Sequence, residues 1–166
     1  MTTGDKITPH EIKYSFPLLF DDRSISMMAY NLETILAEKL ETILSRNIAN
    51  TRPRDFYDVY ILYSLRWDAC SVPLLRTALE RTANKRGSLS FLQHYESIAT
   101  TIRSNPRMHD FWSYYQKDFD YAKDVSFEDT CDVVSTCSIE SVNYKLIEAY
   151  QQQKGMILKN TVIIVF

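Results

Sequence analysis

The stretch Tyr30–Asp58, YNLETILAEKLETILSRNIANTRPRDFYD, decides the fold class because it predicts two consecutive helices. Asn31 is a good N-cap. The apolar residues after it fall on one helical stripe: Leu32, Ile35, Leu36, Leu40, Ile43 and Leu44. We therefore predict a helix over residues 32–46. Pro53 suits the first turn of a second helix, predicted over residues 53–66.

The rest of the chain predicts a short β region and more helices. Aromatic and β-branched residues at 11–20 indicate a strand, and residues 24–29 a second one, with Asp21-Asp22-Arg23 as the turn between them. Further helices are predicted at residues 72–85 (closed by Gly87), 90–103 and 106–123, with one or two at 126–154 (closed by Gly155).

The predicted architecture is α+β and mostly α. Residues 1–30 form a remnant of a sheet, folded as a hairpin, and residues 31–154 form a helical C-terminal domain. Residues 155–166 form a β-prone tail that is apolar up to its last residue. We interpret this tail either as a docked strand or as a cloning or frameshift remnant.

Composition excludes several classes of protein. The 166 residues, 45% of them apolar, allow one domain or a small lobe of a larger one. A formal charge of -2 argues against a binder of nucleic acid or membrane surfaces held mainly by bulk charge. The N-terminal residues lack a signal-peptide pattern, and no apolar run reaches the roughly 18 residues of a spanning helix. We expect a cytoplasmic protein without a membrane segment.

The cysteines, histidines and glycines predict neither a metal site nor a phosphate-binding loop. The cysteines match no zinc spacing and are expected to be buried free thiols: Cys70, Cys131 and Cys137. The histidines are scattered: His10, His94 and His109. With only three glycines, no Gly-rich loop can be built, so any phosphate must be held by side chains or helix N-termini.

A group of charged residues lies on and between the two predicted helices: Lys39, Arg46, Arg52, Arg54, Asp55 and Asp58. Lys39 and Arg46 project from one helical face, and Asp55 and Asp58 share a face at i, i+3. These residues could simply be solvated helix charges. In nucleotide-binding sites, cations beside carboxylates hold the phosphates and the metal of a nucleoside triphosphate. On this second reading, we predict that Lys39 and Asp55 converge on one pocket.

The run LETILAEKLETILSR followed by RPRDFYDVYIL resembles the AbiEii/AbiGii toxin family of nucleotidyltransferases. The late motifs of that family are a helix with A-E-K and a basic residue seven positions on, then R-D-x-Y-D at the start of the next helix. TTGDKIT and LLFDDRSISMMAYNLE resemble the strands that lead into the first of these helices. The similarity is close over residues 2–65 and only general beyond them.

The resemblance implies a DNA polymerase β-like nucleotidyltransferase core with a helical C-terminal domain. Such a protein would be the toxin of a type IV toxin-antitoxin or abortive-infection phage-defence system, transferring nucleotides from an NTP, with Mg²⁺, to a tRNA acceptor. Carried onto this sequence, Lys39, Arg46 and Arg54 would bind the nucleotide, with Arg54 either reaching a phosphate or neutralising Asp55. Asp55 and Asp58 would be the catalytic residues that orient the phosphate-binding or acceptor side chains.

The chain departs from the family in its metal-binding carboxylates. The family carries an early glycine turn and then a D-x-D or D-x-E pair on a strand, whereas the Asp118-Phe119-Asp120 triplet lies in a helical pattern here. The adjacent Asp21 and Asp22 would point to opposite faces of a strand. We therefore expect the C-terminal part of such a toxin, inactive alone, with no metal site and with neither Mg²⁺ nor an NTP bound tightly.

The expected partners are an NTP, tRNA, a cognate antitoxin or a missing N-terminal half, and a second copy bound through exposed strands. The alternative function is a non-catalytic helical module that binds a protein. An aromatic cluster could stack on RNA bases: Phe111, Trp112, Tyr114, Tyr115, Phe119 and Tyr121. Phe111, Tyr115 and Phe119 share a helical stripe and are expected in the core, whereas Tyr114 and Tyr121 are expected to be exposed.

Overall fold

The computed structural model describes residues 12–18 and 21–142, which form a β-hairpin followed by helices. The elements are β1 (Ile12–Leu18), β2 (Asp21–Ala29), α1 (Leu32–Arg46), α2 (Pro53–Arg66), α3 (Val72–Arg86), α4 (Phe91–Ser104), α5 (Pro106–Asp118) and α6 (127–142). The predicted tail and the predicted helix end at Gly155 lie outside the described residues. The mostly helical α+β class is confirmed.

The hairpin pairs β1 and β2 in antiparallel register, with Phe16 opposite Ile25 and Leu18 opposite Asp21. The predicted turn at residues 21–23 is wrong, because these residues belong to β2. Leu18 pairs with Asp21 and Pro17 with Ser24, so Asp22 and Arg23 lie at a register shift within β2 and do not form the turn. The turn preference of aspartate is a weak local bias that strand pairing overrides.

Helix α1 is the centre of the helical part and matches its predicted bounds. Asn31 caps it, with Oδ1 accepting a hydrogen bond from the Thr34 amide at 3.0 Å. One face of α1 is fully buried against α2, α3 and α4. The other helices contribute large buried side chains to the same core: Phe56, Val59, Leu75, Leu79, Ile102 and Trp112.

Two buried carboxylates join α1 to the ends of α3. Glu33 accepts a hydrogen bond from the Ser71 amide at 2.8 Å, just before α3 begins. Glu41 pairs with the Arg86 guanidinium and accepts a hydrogen bond from Ser88 Oγ at 2.6 Å, just after α3 ends. Because buried carboxylates need such partners, these contacts fix α3 along α1.

The helix ends show where local sequence signals succeed and fail. Gly87 has a left-handed φ of 69° and closes α3, as predicted. Helix α5 ends at Asp118 and not at residue 123, so that prediction is wrong. Gln116 Nε2 donates to the carbonyls of Ala122 and Val125, which draws the segment after α5 back over that helix. This tertiary contact stops the helix before its local pattern ends.

The cysteines carry free thiols in the described part of the chain, as predicted. Cys131 and Cys137 are buried, and Cys70 is half-buried. Burial raises the pKa of the Cys70 and Cys131 thiols from 9.0 to about 12. Among the described residues, no helix combines the length and the apolar character needed to cross a membrane.

Candidate functional site

Lys39 on α1 bridges two carboxylates on α2. Its Nζ lies 3.2 Å from Asp55 Oδ1 and 2.6 Å from Asp58 Oδ2. Asp55 and Asp58 are one turn apart on α2, so both face the same point on α1. All three side chains are part-buried, which strengthens their attraction relative to an ion pair in water. The predicted convergence of Lys39 and Asp55 is therefore observed.

The loop between the helices brings the start of α2 beside the middle of α1. Asn47 ends α1 with φ 50° and ψ -135°, a backbone conformation outside the left-handed helical region that is strained in a residue other than glycine. Asn50 is fully buried, and its Oδ1 accepts a hydrogen bond from the Arg52 amide at 2.9 Å. Pro53 then starts α2 with a backbone φ suited to a first turn.

Three buried polar atoms in this region have no hydrogen-bond partner among the described residues: Asn47 Oδ1, Asn50 Nδ2 and Asp55 Oδ2. Buried polar atoms are nearly always paired, so these three are exceptions at the junction of α1 and α2. In Asp55, Oδ1 accepts a hydrogen bond from Lys39, whereas Oδ2 is buried. The carboxylate is thus anchored to Lys39 through one of its oxygens.

The predicted arginines take different positions relative to Lys39. Arg54 Nε lies 3.8 Å from Asp58 Oδ2, and its side chain is 76% exposed at the rim of the cluster. Its ion pair is with Asp58. One of the two roles predicted for Arg54, the neutralisation of Asp55, required an ion pair with Asp55 instead. Arg46 is exposed on the last turn of α1, about 10 Å from Lys39 along the helix axis. The structure therefore brings Lys39, Asp55 and Asp58 together and leaves Arg46 apart.

Tyr57, which sequence reasoning did not single out, joins the charged cluster to aromatic residues. Its hydroxyl donates to the Tyr121 carbonyl at 3.2 Å, and the two ring centroids are 4.8 Å apart. Desolvation raises the pKa of Tyr57, with Tyr121 and Asp58 adding to the shift. The signal in the sequence was its place between Asp55 and Asp58, within the R-D-x-Y-D motif.

The aromatic residues around α5 divide between core and surface. Tyr115 is buried, and Tyr114 and Tyr121 are exposed, as predicted. Phe111, also predicted in the core, is half-buried and packs against it, and Trp112 is buried. The prediction that Phe119 lies in the core is wrong, since it is 40% exposed. Because α5 ends at Asp118, Phe119 has extended backbone angles and leaves the helical stripe on which the prediction depended.

A family model described as the nucleotidyl transferase AbiEii toxin of a type IV toxin-antitoxin system matches residues 1–133. The chain belongs to this AbiEii family. The match includes the whole of α1 and α2, and with them every charged residue of the cluster. Comparisons with curated proteins and with solved structures gave no match. Membership of a toxin-antitoxin family suggests a cognate antitoxin as a partner of this AbiEii protein.

The described part of the AbiEii chain does not fit the Mg²⁺ that nucleotidyl transfer implies. Asp55 and Asp58 converge on the Lys39 ammonium, which takes the position between the carboxylates that a cation would need. Asp118 and Asp120 lie at the exposed end of α5, where Asp120 pairs with Lys123 at 2.6 Å. Within residues 12–18 and 21–142, no group of three or more His, Cys, Asp or Glu residues is placed to hold a metal ion.

Proposed function

We propose that this AbiEii chain binds a nucleoside triphosphate at Lys39 and serves nucleotidyl transfer to an RNA acceptor, within toxin-antitoxin phage defence. The observation that carries the proposal is the Lys39 ammonium held between Asp55 and Asp58. An ammonium has three N–H donors. Two of them face these carboxylates, which leaves one without a partner among the described residues and able to reach a phosphate oxygen.

The roles of the other residues follow from their positions. Asp55 and Asp58 hold the ammonium in place, so that binding a phosphate does not require ordering a free lysine side chain. Arg54, exposed beside Asp58, supplies a second cation and a planar donor group for phosphate oxygens. Arg46 is too far along α1 for the same phosphate, and we assign it to a more distant part of the nucleotide or acceptor.

The proposed binding is weak. Two carboxylates offset the charges of Lys39 and Arg54, so the cluster attracts a polyanion less than an unpaired pair of cations would. The described residues do not fit Mg²⁺, and we expect no nucleotide transfer by this chain alone. We expect a dissociation constant of about 1 mM, which corresponds to a binding free energy of about -4 kcal/mol.

Amide chemical shifts of the ¹⁵N-labelled 19.4 kDa chain test this proposal during titration with ATP. We expect shifts at the amides of α1 and α2 around Lys39 and Asp55, and their loss in Lys39→Ala. Lys85→Ala is the matched control, because Lys85 lies beside Arg86, the partner of Glu41. Glu41 is about 160° around α1 from Lys39, so this control tests the side of α1 opposite the proposed site. Shifts that persist in Lys39→Ala would refute the proposal.

A second candidate is a protein-interaction module without chemistry. The observation in its favour is the hairpin, which among the described residues is a two-stranded sheet with no further strand along either edge. Open strand edges favour pairing with another chain. Sedimentation of the same protein separates the candidates: a concentration-dependent dimer combined with no ATP-induced shifts would favour the module.

A further inference from the structure

Phe119 and Tyr121 form an exposed aromatic ledge next to the charged cluster. Phe119 is 40% exposed and Tyr121 is 53% exposed, and their ring centroids lie 5.4 Å apart. Two further rings support the ledge from below: Tyr115 lies 4.7 Å from Phe119, and Tyr57 lies 4.8 Å from Tyr121. The ledge is therefore the outer side of a packed aromatic group.

Hydrogen bonds fix the segment that carries the ledge. The Tyr115 and Tyr121 hydroxyl groups are 2.9 Å apart and hydrogen-bonded. Trp112 Nε1 donates to the Val125 carbonyl at 3.0 Å, and Gln116 Nε2 donates to the same carbonyl at 2.9 Å. These bonds hold both ends of the segment against α5. A surface held in this way loses little conformational entropy when a ligand binds.

The ledge is continuous with the Lys39 cluster through Arg54. Successive residues of an α-helix are about 100° apart, so the order around α2 is Asp55, Asp58, Arg54 and Tyr57. Arg54 thus lies between the carboxylates that hold Lys39 and the tyrosine that supports the ledge. Burial raises the pKa of Tyr115, and the further contributions include Asp58, which raises it, and Arg54, which lowers it. Both charges therefore act on the aromatic group.

We propose that this ledge stacks the nucleobase of the nucleotide whose phosphates lie at Lys39 and Arg54. The inference rests on the proposed function and adds the base-binding residues to it. Aromatic rings stack on the face of any base, and the exposed Arg54 guanidinium, next to Tyr57 around α2, complements the phosphates joined to that base. An aromatic surface beside a cation suits a nucleotide better than it suits a base or a phosphate alone.

The test compares ATP with inorganic tripolyphosphate, which has the same anionic groups and no base. Tyr121→Ala and Phe119→Ala should raise the dissociation constant for ATP about tenfold and leave that for tripolyphosphate unchanged. Tyr121→Phe loses the bond to the Tyr115 hydroxyl but keeps the ring and the bonds from Trp112 and Gln116 that hold the segment, and should bind ATP like the wild type. Tyr114→Ala removes an exposed tyrosine of α5 outside the ledge and is the control. Circular dichroism checks that each variant is folded.

The outcomes separate this inference from the proposed function. If the wild-type chain binds neither ligand, the proposed function fails, and the ledge inference fails with it. If ATP and tripolyphosphate bind equally and the ledge variants behave like the wild type, only the ledge inference fails. If a single-stranded oligonucleotide binds the ledge and ATP does not, the occupant is nucleic acid and the inference is wrong.

Discussion

Lys39 Nζ lies 2.6 Å from Asp58 Oδ2, and this ion pair joins the middle of α1 to the beginning of α2. The same contact has a structural and a functional consequence. It restrains the two helices on which the candidate site is built, and it holds the ammonium where we propose that a phosphate binds. Stability and the proposed ligand binding involve the same side chains, and separate measurements are needed to distinguish the two effects.

We predict measurable coupling between Lys39 and Asp58. Lys39→Met should lower the free energy of unfolding by about 1 kcal/mol, because two part-buried carboxylates lose their shared counter-ion. A double-mutant cycle with Asp58→Asn in urea should give a coupling energy of about 1 kcal/mol that shrinks at high salt. Additive effects of the two substitutions would contradict this prediction.

The buried pair of Glu41 and Arg86 should matter more for stability than an exposed pair. Arg86→Ala leaves the Glu41 carboxylate, which is only 3% exposed, with the hydrogen bond from Ser88 Oγ but without its counter-ion. We expect a loss of about 3 kcal/mol in urea unfolding. The control is Arg103→Ala, which removes a solvent-exposed pair with Asp132 and should have a much smaller effect. Equal losses in the two variants would contradict the assignment of Glu41 as a buried anchor.

Two leucines give a matched test of the core. Leu40 on α1 is fully buried, whereas Leu65 near the end of α2 is 68% exposed. Leu40→Ala should lower the free energy of unfolding by about 3 kcal/mol, from lost burial and the cavity left behind. Leu65→Ala should change it by less than about 0.5 kcal/mol. Thermal or urea denaturation measures both, and a larger loss in Leu65→Ala would show that α2 is packed differently.

Stability should fall in alkaline solution partly through Cys131. Burial raises the pKa of this thiol from 9.0 to about 12, so the folded state favours the neutral form. The resulting stabilisation is complete below pH 9 and is lost as the pH rises towards 12. The free energy of unfolding of the wild type should therefore fall more steeply over this range than that of Cys131→Ala. Parallel curves would show that the thiol does not contribute.

Local sequence signals were sufficient to predict a helix boundary where that boundary depends only on residues within or next to the helix. The caps and apolar stripe of α1, Pro53 at the start of α2 and Gly87 at the end of α3 each act through neighbouring residues, and these boundaries were predicted correctly. The i, i+3 spacing of Asp55 and Asp58 put both on one helical face for the same reason, whereas their convergence with Lys39 is a contact between two helices.

The sequence by itself determined the helices, their buried faces and the family motifs, because periodicity, capping and residue spacing are properties of short segments. Only the tertiary structure decided that α5 ends at Asp118, that Phe119 is exposed, and that Tyr57 and Tyr121 meet beside Arg54. These features depend on hydrogen bonds and ring contacts between different segments, such as those from Gln116 to the chain that follows α5. Contacts of this kind form only when the helices pack, so no local pattern encodes them.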